Sequence, residues 1–120
     1  MPSPDARNMR YTGQLFCDDD ASITISRLGL TIAEAFLVLQ GTGSYDGAAF
    51  EVEARLARAR YNEFHTARVR YPSDGWEPSV ALRILTLSEA PDHDFCELQL
   101  EWLENRETWL LEGELAQAVS

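Results

Sequence analysis

An all-β fold, an eight-stranded antiparallel up-and-down barrel, is what this sequence predicts. Three observations lead there. Apolar and polar residues alternate at period two along most of the chain, turn-forming residues interrupt the alternation at short intervals, and the runs between interruptions number eight. Eight strands are enough to close a small barrel, and closure removes the two edges an open sheet would expose.

The runs follow in order. Met9–Cys17 places Tyr11, Gly13, Leu15 and Cys17 on one face. Asp18-Asp19-Asp20 turns the chain into Ala21–Leu28, where Ile23 and Ile25 alternate with Ser22, Thr24 and Ser26. A third run, Ala35–Ser44, carries Leu37 and Leu39, and Tyr45-Asp46-Gly47 follows it with the Asp-Gly pair that favours a tight hairpin. Strand four is expected at Ala49–Arg60 and strand five, after Asn62-Glu63, at Phe64–Tyr71. The stretch from Pro72 to Pro78 is dense in turn formers and reads as the widest loop. Strand six is Val80–Leu87, closed by Pro91-Asp92-His93-Asp94. In strand seven Cys96, Leu98, Leu100 and Trp102 alternate with Glu97, Gln99 and Glu101. Asn105-Arg106-Glu107 leads into Thr108–Gln117, whose Gly113 marks a bend or a close backbone approach.

In strand number and length the pattern is similar in outline to lipocalin-like and streptavidin-like barrels, without any family motif. The alternative is an α+β fold with one or two helices on a curled antiparallel sheet. Phe50, Ala54, Ala57, Tyr61 and Phe64 also fall at helical spacing, as do Ile32, Phe36 and Leu39, and Glu51 precedes Arg55 by four residues.

A chain of 120 residues supports one hydrophobic core. Residues 1–8 read as a flexible N-terminal arm and 9–120 as a single β-rich domain. No run approaches the roughly 18–20 apolar residues of a membrane-spanning helix, and the first residues show no apolar signal segment. With only Cys17 and Cys96, reduced thiols and a cytoplasmic location are expected. The formal charge is −10 and all ten basic residues are arginine. That balance argues against direct nucleic-acid binding and against anionic membranes, and it suits a basic protein partner.

An up-and-down barrel sends alternate connections to opposite ends. One end collects Asp18, Asp19, Asp20, Asp46, Asp74, Glu77, Glu104 and Glu107, opposed by Arg106 alone. The other collects Arg58, Arg60, His65, Asp92, His93 and Asp94. Cys17 and Cys96 then lie at opposite ends, too far apart for a disulfide, whose Cα atoms must come within roughly 7 Å.

The first functional expectation is a non-catalytic binding protein, of inhibitor or immunity type. Its partner surface is Asp18, Asp19, Asp20, Asp46, Asp74 and Glu77, with Trp76 as an aromatic anchor. The second is a small-molecule barrel for an anionic amphipathic ligand held by Arg58, Arg60 and His65. Strict alternation carries both arginines inward there, whereas a bulge or helical turn, the favoured expectation, leaves them in water where arginines usually sit. A small hydrolase-type enzyme ranks third and requires His65, His93 and Cys96 to converge. No catalytic residue, cofactor or metal site is assigned: calcium-loop spacing, H-E-x-x-H, C-x-x-C and phosphate-loop motifs are all absent from the sequence.

Overall fold

The computed structural model describes residues 9–17, 23–71, 75–104 and 106–118, with side chains described at all of these except 75–79. The expected N-terminal arm, residues 1–8, lies outside the described residues. The strands are β1 (Met9–Cys17), β2 (Ile23–Ile32), β3 (Phe36–Tyr45), β4 (Ala48–Ala57), β5 (His65–Tyr71), β6 (Gly75–Glu89), β7 (Phe95–Glu104) and β8 (Glu107–Gln117). Each pairs antiparallel with the next, and β8 returns to β1 through Tyr11↔Gln117 and Cys17↔Leu111, so the barrel is closed.

The α+β alternative does not hold among the described residues. Their one helical element is a single 3-10 turn, Arg58–Arg60, after the last residue of β4. Helical spacing in 50–64 loses to sheet pairing: β4 is paired with β3 from Tyr45↔Ala48 to Phe36↔Ala57 and with β5 on its other side. Local propensity gives way where neighbouring strands supply every backbone partner.

Between its two ends the inward face is apolar. Trp102, Tyr11, Leu15, Ile23, Ile25, Leu28, Leu37, Leu56 and Ile84 are among the fully buried side chains, and no polar or charged residue is buried among those described. An eight-stranded barrel has an interior just wide enough for side chains to fill, and here the described inward side chains form one core cluster. Two bulges keep this face continuous. On β2 the extra residue is Ser26, and the inward set passes from Ile23 and Ile25 to Leu28, Leu30 and Ile32. On β6 the extra residue is Leu85, and the set passes from Val80, Leu82 and Ile84 to Leu87. Such bulges also bend a sheet toward closure. At the β1–β8 seam Gly113 is required for close approach, since a Cβ there would lie 2.0 Å from the Gln14 carbonyl oxygen.

The outer wall carries the charge. On the β4–β5 side Glu53 pairs with Arg68 at 2.9 Å and Glu51 with Arg70. Between β6 and β7 Arg83 meets Glu101 at 2.8 Å. The β7–β8 side is unbalanced: Glu97 lies directly opposite Glu114, and Gln99 donates from Nε2 to Glu112.

Candidate functional site

Alternation runs to the last residue of several strands, and at the acidic end it leaves aromatic rings and a carboxylate inside the barrel mouth. On β3 the inward set Leu37, Leu39, Gly43 ends at Tyr45; on β5 Ala67 and Val69 are followed by Tyr71. On β7 the buried series Cys96, Leu98, Leu100, Trp102 is extended by Glu104. Trp109 of β8 sits opposite Trp102 and shares its face. Tyr45, Tyr71 and Trp109 are partly buried and packed on the core.

The rings touch. Tyr45 and Trp109 meet edge to face with centroids 5.5 Å apart, and Phe50 below them packs against Tyr71 at 6.0 Å and Trp102 at 5.4 Å. These separations fall in the range where aromatic pairs add to simple burial. The Trp102 indole Nε1 donates to Glu104 Oε1 at 2.9 Å, tying the carboxylate to the aromatic floor. Burial, and then the charge of Glu104 and the neighbouring Tyr45, hold the Tyr71 hydroxyl proton above the usual phenol range. Among the described residues Glu104 has no cationic partner.

The strand ends that lead into the connections β1–β2, β3–β4, β5–β6 and β7–β8 meet at this mouth. Asp46 and Gly47 take left-handed backbone angles, φ 50° and 82°, the tight hairpin their residue types favour, and Asp46 is exposed. Arg106 also has positive φ, 68°, and is exposed in the β7–β8 turn. Asp18, Asp19, Asp20 and Asp74 lie outside the described residues. Trp76 and Glu77 belong to the first residues of β6, opposite Arg70 and Val69, and their side chains lie outside those described. The expected loop 72–78 is therefore shorter, because β6 begins at Gly75.

The opposite end holds Arg58, Arg60 and His65, and there the structure corrects strict alternation. β4 stops at Ala57, and the 3-10 turn puts both arginines in water. The turn folds over the barrel end, with Tyr61 packed on the core and the Ile84 amide donating to the Tyr61 carbonyl at 2.8 Å. Arg58 Nη1 donates to the Ala33 carbonyl at 2.9 Å. Nε2 of His65 accepts the Ala57 amide at 3.2 Å, which places its ring proton on Nδ1, facing the Glu63 carbonyl at 2.7 Å. His65 and Arg58 are thus brought near each other as fastenings of a turn, over the apolar core.

This end has its own inward carboxylate. Glu89, last residue of β6, accepts from the buried Tyr11 hydroxyl at 3.0 Å and lies 3.2 Å from His93 Nδ1 through the same oxygen. Burial first, then the hydrogen bond to Glu89, raises the Tyr11 hydroxyl well above its ordinary pKa. Burial, with Glu89 and Glu114 nearby, pushes the Cys96 thiol up to about 12, so at neutral pH it is a protonated thiol and a poor nucleophile. In the exposed turn beyond, hydrogen bonds from Asp94 lower the Asp92 carboxyl, and the same interaction raises Asp94. No group of three or more His, Cys, Asp or Glu able to hold a metal occurs among the described residues. Cys17 and Cys96 are both buried and free. They flank β8 at Leu111 and Leu115, four residues or about 13 Å apart along that strand.

No known family model, curated protein or solved structure matches this chain. The aromatic mouth was not singled out in the sequence. Its signal was there, in alternation continuing one step further to Tyr45, Tyr71 and Glu104.

Proposed function

We propose that this protein is a non-catalytic binding protein whose acidic end engages a basic protein, in the manner of an inhibitor or immunity protein. The observation that carries the reading is the closed meander itself. It brings the connections following Cys17, Tyr45, Tyr71 and Glu104 to one end. Those connections contain Asp18, Asp19, Asp20, Asp46 and Asp74, flanked by Glu77, Glu104 and Glu107, against Arg106. A field of one sign at one end steers and orients a partner of the opposite sign. Trp76 is the proposed aromatic anchor of that contact.

Several observations favour aqueous surroundings and a cytoplasmic location. A lipid-facing barrel carries an apolar band outside, whereas this wall carries Glu51, Glu53, Arg68, Arg70 and Glu101. No described helix is long and apolar enough to cross a membrane. Free cysteines suit a reducing compartment. An acidic end disfavours phosphate backbones. The small-ligand reading through Arg58, Arg60 and His65 draws no support from an apolar core and a turn that keeps His65 engaged.

The test is a calorimetric titration with an acetylated hexa-arginine amide as cationic probe. Two variants lose equal charge: D18N/D19N/D20N at the end and E97Q/E112Q/E114Q on the wall. End neutralisation should weaken binding by about tenfold and wall neutralisation by about twofold or less. Equal losses would reduce the effect to net charge and remove the proposal.

A further inference from the structure

We propose that the aromatic mouth of the acidic end is a receptor for one arginine side chain of the basic partner, with Glu104 as its carboxylate and Tyr45, Tyr71 and Trp109 as its walls. The inference rests on the partner reading above and adds the residue chemistry that reading lacks.

The molecule contains the completed version of this arrangement elsewhere. On the outer wall the Arg83 guanidinium lies over the Phe64 ring, 4.8 Å from its centroid, while Arg83 Nη2 meets Glu101 at 2.8 Å. Arg55 likewise stacks on Phe36 at 3.8 Å. A guanidinium held between a ring face and a carboxylate is thus a contact this chain makes internally. At the mouth the rings and the carboxylate are present, and Glu104 has no ion pair among the described residues.

Charge and position point the same way. Glu104 occupies an inward-facing position, and its one hydrogen-bond donor among the described residues is the neutral Trp102 indole. An indole N–H satisfies one lone pair and leaves the negative charge uncompensated. Half-buried rings around a carboxylate reduce its hydration and strengthen its attraction for a cation. Burial first, and then the charge of Glu104, hold the Tyr71 hydroxyl proton more tightly than usual. Arginine fits better than lysine because its planar, weakly hydrated guanidinium can stack on a ring and bond a carboxylate through two N–H groups at once.

The experiment follows the indole signals in nitrogen-proton correlation spectra, with the Trp109 signal assigned by W109F. Two probes are used: acetyl-arginine-amide, which bears one guanidinium and cannot span the rim, and the hexa-arginine peptide beside hexa-lysine. The single-residue probe should shift the Trp109 indole in the wild type and leave it unmoved in Glu104→Gln. That variant keeps an oxygen for the Trp102 indole, so its fold is preserved. Hexa-arginine should bind more tightly than hexa-lysine, and Glu104→Gln should weaken it by about tenfold and erase the preference. Tyr45→Leu, checked for folding by its thermal transition, should reduce the same preference.

If hexa-arginine binds in a manner that depends on Asp18–Asp20 while the single-residue probe moves nothing and Glu104→Gln binds normally, the receptor is wrong and the partner reading stands. If the single-residue probe moves Trp109 but neutralising Asp18–Asp20 does not differ from neutralising the wall, the receptor stands and the partner reading falls. Silence from both probes overturns both.

Discussion

The two ends of this barrel each carry an inward carboxylate at the last position of a strand, and the two are treated differently. Glu89 is satisfied within the molecule: the Tyr11 hydroxyl and His93 both engage its Oε2, and the neighbouring turn is tied to the C-terminal strand by the Gln117 amide donating to the Asp94 carbonyl at 2.7 Å. Among the described residues Glu104 has one neutral donor, the Trp102 indole, at the end where Tyr45 and Trp109 meet. Where partners are built in, a carboxylate serves the fold. Where they are withheld, it is available to something outside. The connection at the Glu89 end follows the same division, with a turn folded over the core through Tyr61.

The strongest way to break the contrast is to remove the floor that Glu104 leans on. Trp102→Ala should cost about 3–5 kcal/mol in denaturant unfolding, because the side chain is fully buried and touches Phe50. A loss below about 1 kcal/mol would mean that the mouth is not packed as described.

Alkaline pH should separate the ends next. Tyr11 and Cys96 have folded pKa values raised above their ordinary values of 10.0 and 9.0. The folded state therefore binds their protons more tightly than the unfolded chain does. Their contribution is fully present below the unfolded values and is lost as pH rises, for Cys96 between 9.0 and about 12. Tyr71 at the acidic end acts in the same direction. Unfolding midpoints measured from pH 7 upward should fall above about pH 9, and Cys96→Ala should flatten the fall more than Tyr71→Phe. Parallel curves would show that the Glu89 end is not the more tightly linked.

A pair of matched substitutions sharpens the comparison further. Glu89→Gln should destabilise by about 1 kcal/mol, since it weakens hydrogen bonds to an ionised acceptor. Glu104→Gln should be neutral within about 0.5 kcal/mol, because it retains the indole bond and discards an unpaired charge. Reversed magnitudes, read from chemical denaturation, would exchange the roles of the two ends. The smallest effect is expected on the wall. Glu97→Gln relieves the like-charge pair with Glu114 and should stabilise by a few tenths of a kcal/mol, about the scale of cross-strand charge pairs.

Much of the fold was legible because period two is a strong signal where one face is buried. β1, β7 and β8 come out within two residues of expectation, and Tyr45-Asp46-Gly47 forms its hairpin. The misjudged ends have physical causes. Ser26 and Leu85 are bulges that reset the alternation, so β2 was expected to stop at Leu28 instead of Ile32 and β6 at Leu87 instead of Glu89. The prolines at 72 and 78 suggested a loop across residues that partly belong to β6. Arg58 and Arg60 leave the sheet because the chain changes to a 3-10 turn after Ala57, an event that periodicity does not encode. The acidic composition of the candidate end was visible in the sequence. Its aromatic lining was not, because Tyr45, Tyr71 and Trp109 come together only once non-adjacent strands curl around a common axis.

The seam between β1 and β8 has a consequence in time. It joins Tyr11 to Gln117 and Cys17 to Leu111, pairs that span almost the whole described chain. Seven of the eight ladders link neighbours and can form as the chain emerges; the eighth waits for the last strand. Until then β1 and the latest strand formed are open edges able to pair with another chain, and non-local pairing of this kind folds in milliseconds to seconds, not microseconds. For a nascent molecule the hazardous interval is the wait for its final strand.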